Sequence, residues 1–420
     1  MPSSVVRAAV VGTLMALGAV APAARAQLAD TVWVRPGGPV PRLSTALAKV
    51  RRGGVVIVTA GRYAEPLVAV TRPVSIVGQG MPSFDGEGTH GILLVTADDV
   101  SIRGLQLGHV GGSDLEDRAV VRVQDARGCT IAGNRVTDAF WGIYLANVTG
   151  CEVRDNVLRA SHRTETTSGN GIQLWSSRGV RITGNRVAGF RDGIYFEFVH
   201  DTDVRANVSE GNLRYGLHFM YSDDCRYDDN TFRANGSGVA VMYTKGVRLR
   251  GNRFEDNWGA AAYGLLLKEI SDAQLEDNIF LRNTTGLVAD GANRLRLDHN
   301  DFVENGWAVR LDASTGDGRI TRNNFVANTF DLASNSADQS TVLAGNYWDA
   351  YRGYDLDRDG AGDVPFHPVR LFAVIVERHA PAILLLRSAF VTLLDDAERA
   401  LPVITPSSLA DARPAMRRIR

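Results

Sequence analysis

An asparagine comes back along this chain about every 22 residues, and that period limits what the chain can fold into. The runs GNRV, DNVL, GNRV, ANVS, DNTF, GNRF, DNIF, HNDF and GNYW carry Asn134, Asn156, Asn185, Asn207, Asn230, Asn252, Asn278, Asn300 and Asn346. A unit of this size cannot bury an apolar face alone and must stack on its neighbours. Within each period a glycine opens an alternating run, as in GIYLA, GIQLW, GIYFE, GLHFM, GVAVM, GLLLK and GLVAD. The first and third residues after the glycine are apolar throughout, while those between them are mixed. That period of two marks a strand with one face in a core. A further apolar position, from Ile131 to Leu297, lies three residues before the asparagine. Each period therefore holds three short strands and three corners. Strands that return at this spacing stack in parallel, about 4.8 Å apart. The expected fold is all-β: a right-handed parallel β-helix, about 22 residues per coil, with the asparagines stacked at one corner. Asparagine suits that corner because it tolerates the left-handed conformation and its amide can bond its neighbours.

The ends depart from the repeat, as capping requires. The sequence divides into a signal peptide at 1–26, an N-terminal cap and first coils at 27–133, regular coils at 134–348, an Asp/Gly-rich loop at 349–370 and a helical tail at 371–420. In the leader, Arg7 precedes the apolar run AAVVGTLMALGAVA, and Ala24-Arg25-Ala26 fits a cleavage site. The mature chain is expected to begin at Gln27, in an oxidising exported compartment. RLSTALAKV reads as a short cap helix. The tail carries Glu377, Arg378, His379 and Arg387, which argues for a docked helix over a membrane span. A net charge of −1 excludes the cationic excess that nucleic-acid binding needs.

Cys129, Cys151 and Cys225 each lie five residues before their asparagine, where Val180, Val247 and Leu295 stand in other coils. They are expected to be small buried hydrophobes without a disulfide framework. DLDRDGAGD at 355–363 places Asp355, Asp357 and Asp359 before Gly360. Its twelfth position is Phe366 rather than glutamate, so the loop reads equally as a partial calcium site or an Asx-turn loop.

Register brings one more set together. The second residues after the glycine form an outward column, Tyr144, Gln173, Tyr195, His218, Ala240, Leu266 and Val288. The fourth form another, Ala146, Trp175, Glu197, Met220, Met242, Lys268 and Asp290. His218 and Met220 thus share one strand face, about 7 Å apart, and Met242 stacks on Met220 one coil away. An imidazole and two thioethers are soft donors that favour Cu(I). The insertions HRTETTSGN and NWGAAAY precede this same face and are expected to wall a groove over it.

GLHFMYSDD, VMYTKGVRLRGNRF, GLLLKEISDA, GNYWDAYRGYDLDRDGAGDVPFHP and the tail RSAFVTLLDDAERALPVITPSSLADARP together resemble the NosD family of nitrous-oxide reductase maturation proteins. The resemblance spans essentially the whole mature chain. It implies a periplasmic, non-enzymatic accessory protein of denitrification that works with an inner-membrane ABC transporter, permease and ATPase. It further implies copper taken from a copper-chaperone lipoprotein and passed on for the copper–sulfur centre of apo nitrous-oxide reductase. On that reading His218, Met220 and Met242 hold Cu(I) transiently. Two alternatives stand beside it. A β-helix polysaccharide lyase or C5-epimerase needs a base, an acid and a charge neutraliser on the outer face. The sequence has no Asp-Pro dipeptide, so the epimerase-like Asp-Pro-His-Asp run is absent, and the His218 face is expected to lack a carboxylate–arginine set. The other alternative is a metal-free docking scaffold.

Overall fold

The structure, a computed structural model, describes residues 28–420 apart from 114–115, 162–163, 336–339, 402–403 and 406–407; the expected signal peptide lies outside the described residues. The coils form three parallel sheets of 14, 12 and 13 strands, each made from every third strand of the chain except that the 14-stranded sheet starts with the first two strands side by side. The fold is the expected parallel β-helix. The first and third residues after each glycine face the interior: Leu217, Phe219, Val239 and Val241 are all 0% exposed. The cap helix spans Leu43–Lys49. The Glu65 carboxylate accepts from the backbone N–H groups of Leu43 and Ser44, satisfying donors the first helical turn cannot.

The corner asparagines form one continuous ladder. From Asn156 on, each side-chain oxygen accepts from both the backbone N–H and the Nδ2 of the asparagine one coil earlier; the oxygen of Asn134, the first, accepts from the Leu105 N–H. Asn252 takes these bonds from Asn230 at 3.0 Å each, and its own Nδ2 donates to the Tyr227 carbonyl at 2.7 Å and to Asn278 at 3.0 Å. Asn323 fills the step between Asn300 and Asn346. The left-handed conformation, however, belongs to the residue before the asparagine. Asp155, Ala206, Asp229 and Asp277 have φ of 53 to 56°, and Gly133, Gly184, Gly251 and Gly345 take the same place. This corrects the reason for asparagine at the corner and explains the recurring GN and DN pairs. The preceding residue makes the turn, while the asparagine points inward to bond along the stack. A second ladder, Asn212, Asn235, Asn257, Asn283, Asn305 and Asn328, runs up another corner. The spacing N-x4-N announces it in the sequence. Between the two ladders Phe232, Phe254, Phe280, Phe302, Phe325 and Trp348 stack with ring centroids 4.1 to 5.7 Å apart. Burying each such ring contributes about 1.5–3 kcal/mol.

One further feature differs from expectation. Cys129 and Cys151 are disulfide-bonded, with Cα atoms 4.5 Å apart. The coil spacing itself falls within the range a disulfide spans, roughly 4.4–6.8 Å, so stacked cysteines can pair without moving backbone. Cys225 remains a buried free thiol, pushed up to about 12 chiefly by burial. The tail contains the expected helical segment, with helices at Leu371–Arg378 and Ala389–Ala400. Phe372, Ala373, Val376 and Val391 pack with Phe330 against the last coils. Farther along, Asp411 forms backbone bridges with Leu343 and Phe366, and Ala415 with Tyr347 and Ala361. No helix among the described residues is long and apolar enough to cross a membrane.

Candidate metal centre

Four adjacent strands of the twelve-stranded sheet build the outer face in question: Asp192–Glu197, Tyr215–Met220, Ser237–Lys245 and Tyr263–Ser271. Their register pairs Tyr195 with His218 and Glu197 with Met220, then His218 with Ala240 and Met220 with Met242. Met242 in turn pairs with Lys268. The columns read from the repeat are therefore the columns of the sheet. Both methionines are partly buried. Their strand positions alternate with the interior Phe219 and Val241, so the thioethers belong to the outer face. Lys268 is drawn away along its column to Asp290, 3.3 Å distant.

His218 is outward but not solvated, at 6% exposure. Tyr195 meets it edge-on, with centroids 5.1 Å apart, and Tyr215 tilts over it at 4.8 Å. Its Nδ1 lies 3.6 Å from Asp192 Oδ2 and 3.4 Å from the Arg214 guanidinium. Its Nε2 is buried and makes no hydrogen bond. Asp192 is fully buried, and both branches of the Arg214 fork donate to it, Nε at 2.9 Å. Burial alone would raise the Asp192 carboxyl, but its bonds to His218 and Arg214 outweigh that and hold it below the usual range. Burial and the Glu197 charge push the Tyr195 hydroxyl up to about 12. Tyr195 donates to Glu197 at 3.3 Å, so it stands as a neutral donor here.

Sequence reasoning missed Asp192, Arg214 and Tyr215, and set Tyr195 in the column of His218 without giving it a role. The signal was present: Asp192 stands just before one glycine and Arg214 two places before the next, putting opposite charges at one corner in successive coils. Their presence corrects the expectation that this face lacks a carboxylate–arginine set. The insertions do adjoin the site. Tyr263, closing the second, donates to the Tyr215 hydroxyl at 3.4 Å, and Glu165, in the first, acts on the Arg214 charge. Immediately beyond Glu197, Met220 and Met242, the exposed rings of Phe198, Tyr221 and Tyr243 stack at 5.4 and 5.2 Å.

A buried imidazole nitrogen with no partner is costly, by roughly 1–3 kcal/mol, unless something occupies it. Here it belongs to the same outer face as two thioethers. That donor set suits a soft monovalent ion such as Cu(I) better than a hard divalent one. Elsewhere, Asp355, Asp357 and Asp359 bring ligand oxygens within 4.8 Å of one another. Asp357 accepts from the Asp359 N–H and Asp359 from the Ala361 N–H, each two residues on as in an Asx turn; Asp355 accepts from the N–H groups of Asp359 and Gly360, and Arg413 pairs with Asp359.

Comparison with known proteins bears on the family of the whole chain. The family model described as "Periplasmic copper-binding protein (NosD)" matches residues 159–353, the coils that carry the site. A Pseudomonas aeruginosa protein named "Probable ABC transporter binding protein NosD" is 31% identical over 85% of this chain and 87% of its own length. A protein of the same name from Stutzerimonas stutzeri is 28% identical over 85% and 86%. Among solved structures, the Dettilon tailspike protein superposes with a TM-score of 0.59 at 13% identity, covering 74% of this chain and 70% of its own. The catalytic unit of a Streptomyces thermodiastaticus GH87 α-1,3-glucanase gives 0.54 at 14%, covering 73% and 65%. At such identities these two share the fold alone.

Proposed function

This chain belongs to the NosD family of periplasmic copper-binding proteins, and from that premise we propose that it holds one Cu(I) transiently at His218, Met220 and Met242. The observation that carries the reading is the unpartnered, buried Nε2 of His218 on the face that also bears two registered methionines. The copper is cargo. Tyr195 and Tyr215 exclude water from the imidazole, while the partly buried thioethers stay open to exchange. Three protein ligands leave a position for a ligand from a donor or acceptor. We read the leader as an export signal and the function as delivery of copper for the copper–sulfur centre of nitrous-oxide reductase. The naming of both curated relatives supports an ABC transporter as partner. The apolar tail at 371–400 is its proposed dock, and the copper-chaperone lipoprotein the proposed donor.

The Asp192–Arg214 pair beside His218 gives the lyase or epimerase reading a base, a cation and two phenols. Burial weighs against it: Asp192 is 0% exposed and already neutralised by Arg214, so neither group is available to a polymer carboxylate. Uronate polymers incubated with the protein should yield no unsaturated ends. Anaerobic Cu(I) titration against bicinchoninate should show one tight site per chain, lost in Met220→Ala plus Met242→Ala. Sulfur scattering at the copper edge should disappear with it. Binding unchanged in that double variant would place the copper elsewhere or leave a metal-free scaffold.

A further inference from the structure

We propose that Asp192 and Arg214 are positioning residues that decide which ring nitrogen of His218 is offered to the metal. The inference rests on the reading of His218 as a ligand and adds how that ligand is switched. A neutral imidazole carries its proton on one nitrogen and its lone pair on the other. Nδ1 faces two groups of opposite kind: Asp192 at 3.6 Å can only accept, and Arg214 at 3.4 Å can only donate. When Nδ1–H donates to Asp192, the lone pair lies on Nε2 and the ring can bind a soft ion. When Nδ1 accepts from Arg214, the proton moves to Nε2, which then points a donor into a space with no acceptor.

The two states compete for the same carboxylate. Arg214 holds Asp192 with both branches of its fork and also stacks over Tyr215, 5.0 Å from the ring centroid. The imidazole is clamped between Tyr195 and Tyr215, so the selection falls on the proton more than on the ring's placement. Metal at Nε2 favours the Asp192-bonded state; loss of metal allows Arg214 to reclaim Nδ1. Histidine ligands generally donate their second nitrogen to a carboxylate, and removing that partner costs about 10–100-fold in metal affinity. What is particular here is the guanidinium set against it.

Long-range 15N–1H NMR of 15N-histidine-labelled, metal-free protein reads the tautomer directly, and Cu(I) competition with bicinchoninate reads affinity. Asp192→Asn is expected to shift His218 toward the Nε2–H tautomer and to weaken Cu(I) binding about 10–100-fold. Arg214→Lys keeps the charge on Asp192 but loses the fork. It is expected to enrich the Nδ1–H tautomer and tighten binding severalfold. A purely structural role would weaken binding in both variants and leave the tautomer alone. An unchanged tautomer in Asp192→Asn overturns the proposal. Should that variant not fold, an unchanged tautomer and affinity in Arg214→Lys do so. Wild-type affinity that does not respond to His218→Gln overturns the ligand reading itself, a result obtained without either positioning variant.

Discussion

Asp411 ends the asparagine ladder, and removing its carboxylate tests how the tail is fastened to the coils. The side chain is 0% exposed. It accepts from Gly345 N at 3.0 Å, Asn346 N at 2.9 Å, Asn346 Nδ2 at 3.0 Å and Trp348 Nε1 at 3.2 Å. The two Asn346 bonds are those each asparagine gives to the next, so the carboxylate stands in for the missing rung. Aspartate is right here and nowhere earlier, because no further coil requires a donor from it. Asp411→Ala takes the acceptor from these four donors, at about 1–3 kcal/mol each when buried, and from the partly buried Arg413 N–H as well. Recovery of the carboxylate's own desolvation offsets part of this. The expected net loss is about 3–5 kcal/mol, centred on the last coil. Asp411→Asn keeps one acceptor oxygen but turns an NH2 toward a donor, at a cost of roughly 1–2 kcal/mol. Urea unfolding gives the totals, and hydrogen exchange over 345–348 gives the place. Stability within about 1 kcal/mol of wild type for the alanine variant, with amide protection at 345–348 unchanged, would refute the capping role.

Mid-ladder, the logic reverses: Asn252→Asp should destabilise by about 3 kcal/mol or more, because a carboxylate cannot donate to Tyr227 O and Asn278 Oδ1 as Nδ2 does, and urea unfolding measures it. Denatured protein should titrate one thiol per chain, Cys225, rising to three after reduction, and loss of the Cys129–Cys151 bond across its 22-residue separation should cost about 3 kcal/mol. Burial pushes the Asp331 carboxyl up to about 7, against a bond from Asn328. The folded state therefore binds that proton more tightly than the unfolded chain. Its stabilisation is full below about pH 4 and is lost as pH rises through 7, so the melting temperature of Asp331→Asn should fall less than wild type between pH 4 and 8.

The repeat period, the three strands per coil and the alternation after each glycine are local patterns. They set the register, and with it the meeting of Met220 and Met242, whose partnership needs nothing beyond coils of equal length. His218 could be placed on that face for the same reason. Its burial could not, because the covering groups come from corners and insertions whose paths the repeat does not specify: Arg214 from a corner, Tyr263 from the end of an insertion. Asp192 was hidden because its position matters only against Arg214 and His218, 22 and 26 residues on. The cysteine pair turned on a Cα separation of 4.5 Å, which a column position alone does not supply. Asp411 meets Asn346 across 65 residues, and no periodicity carries that far once the coils stop. Sequence alone determined the stack and its columns, because strand alternation and repeat length act between near neighbours. Tertiary structure decided which outward groups are dry, paired or orphaned, because burial depends on what the rest of the chain lays over them.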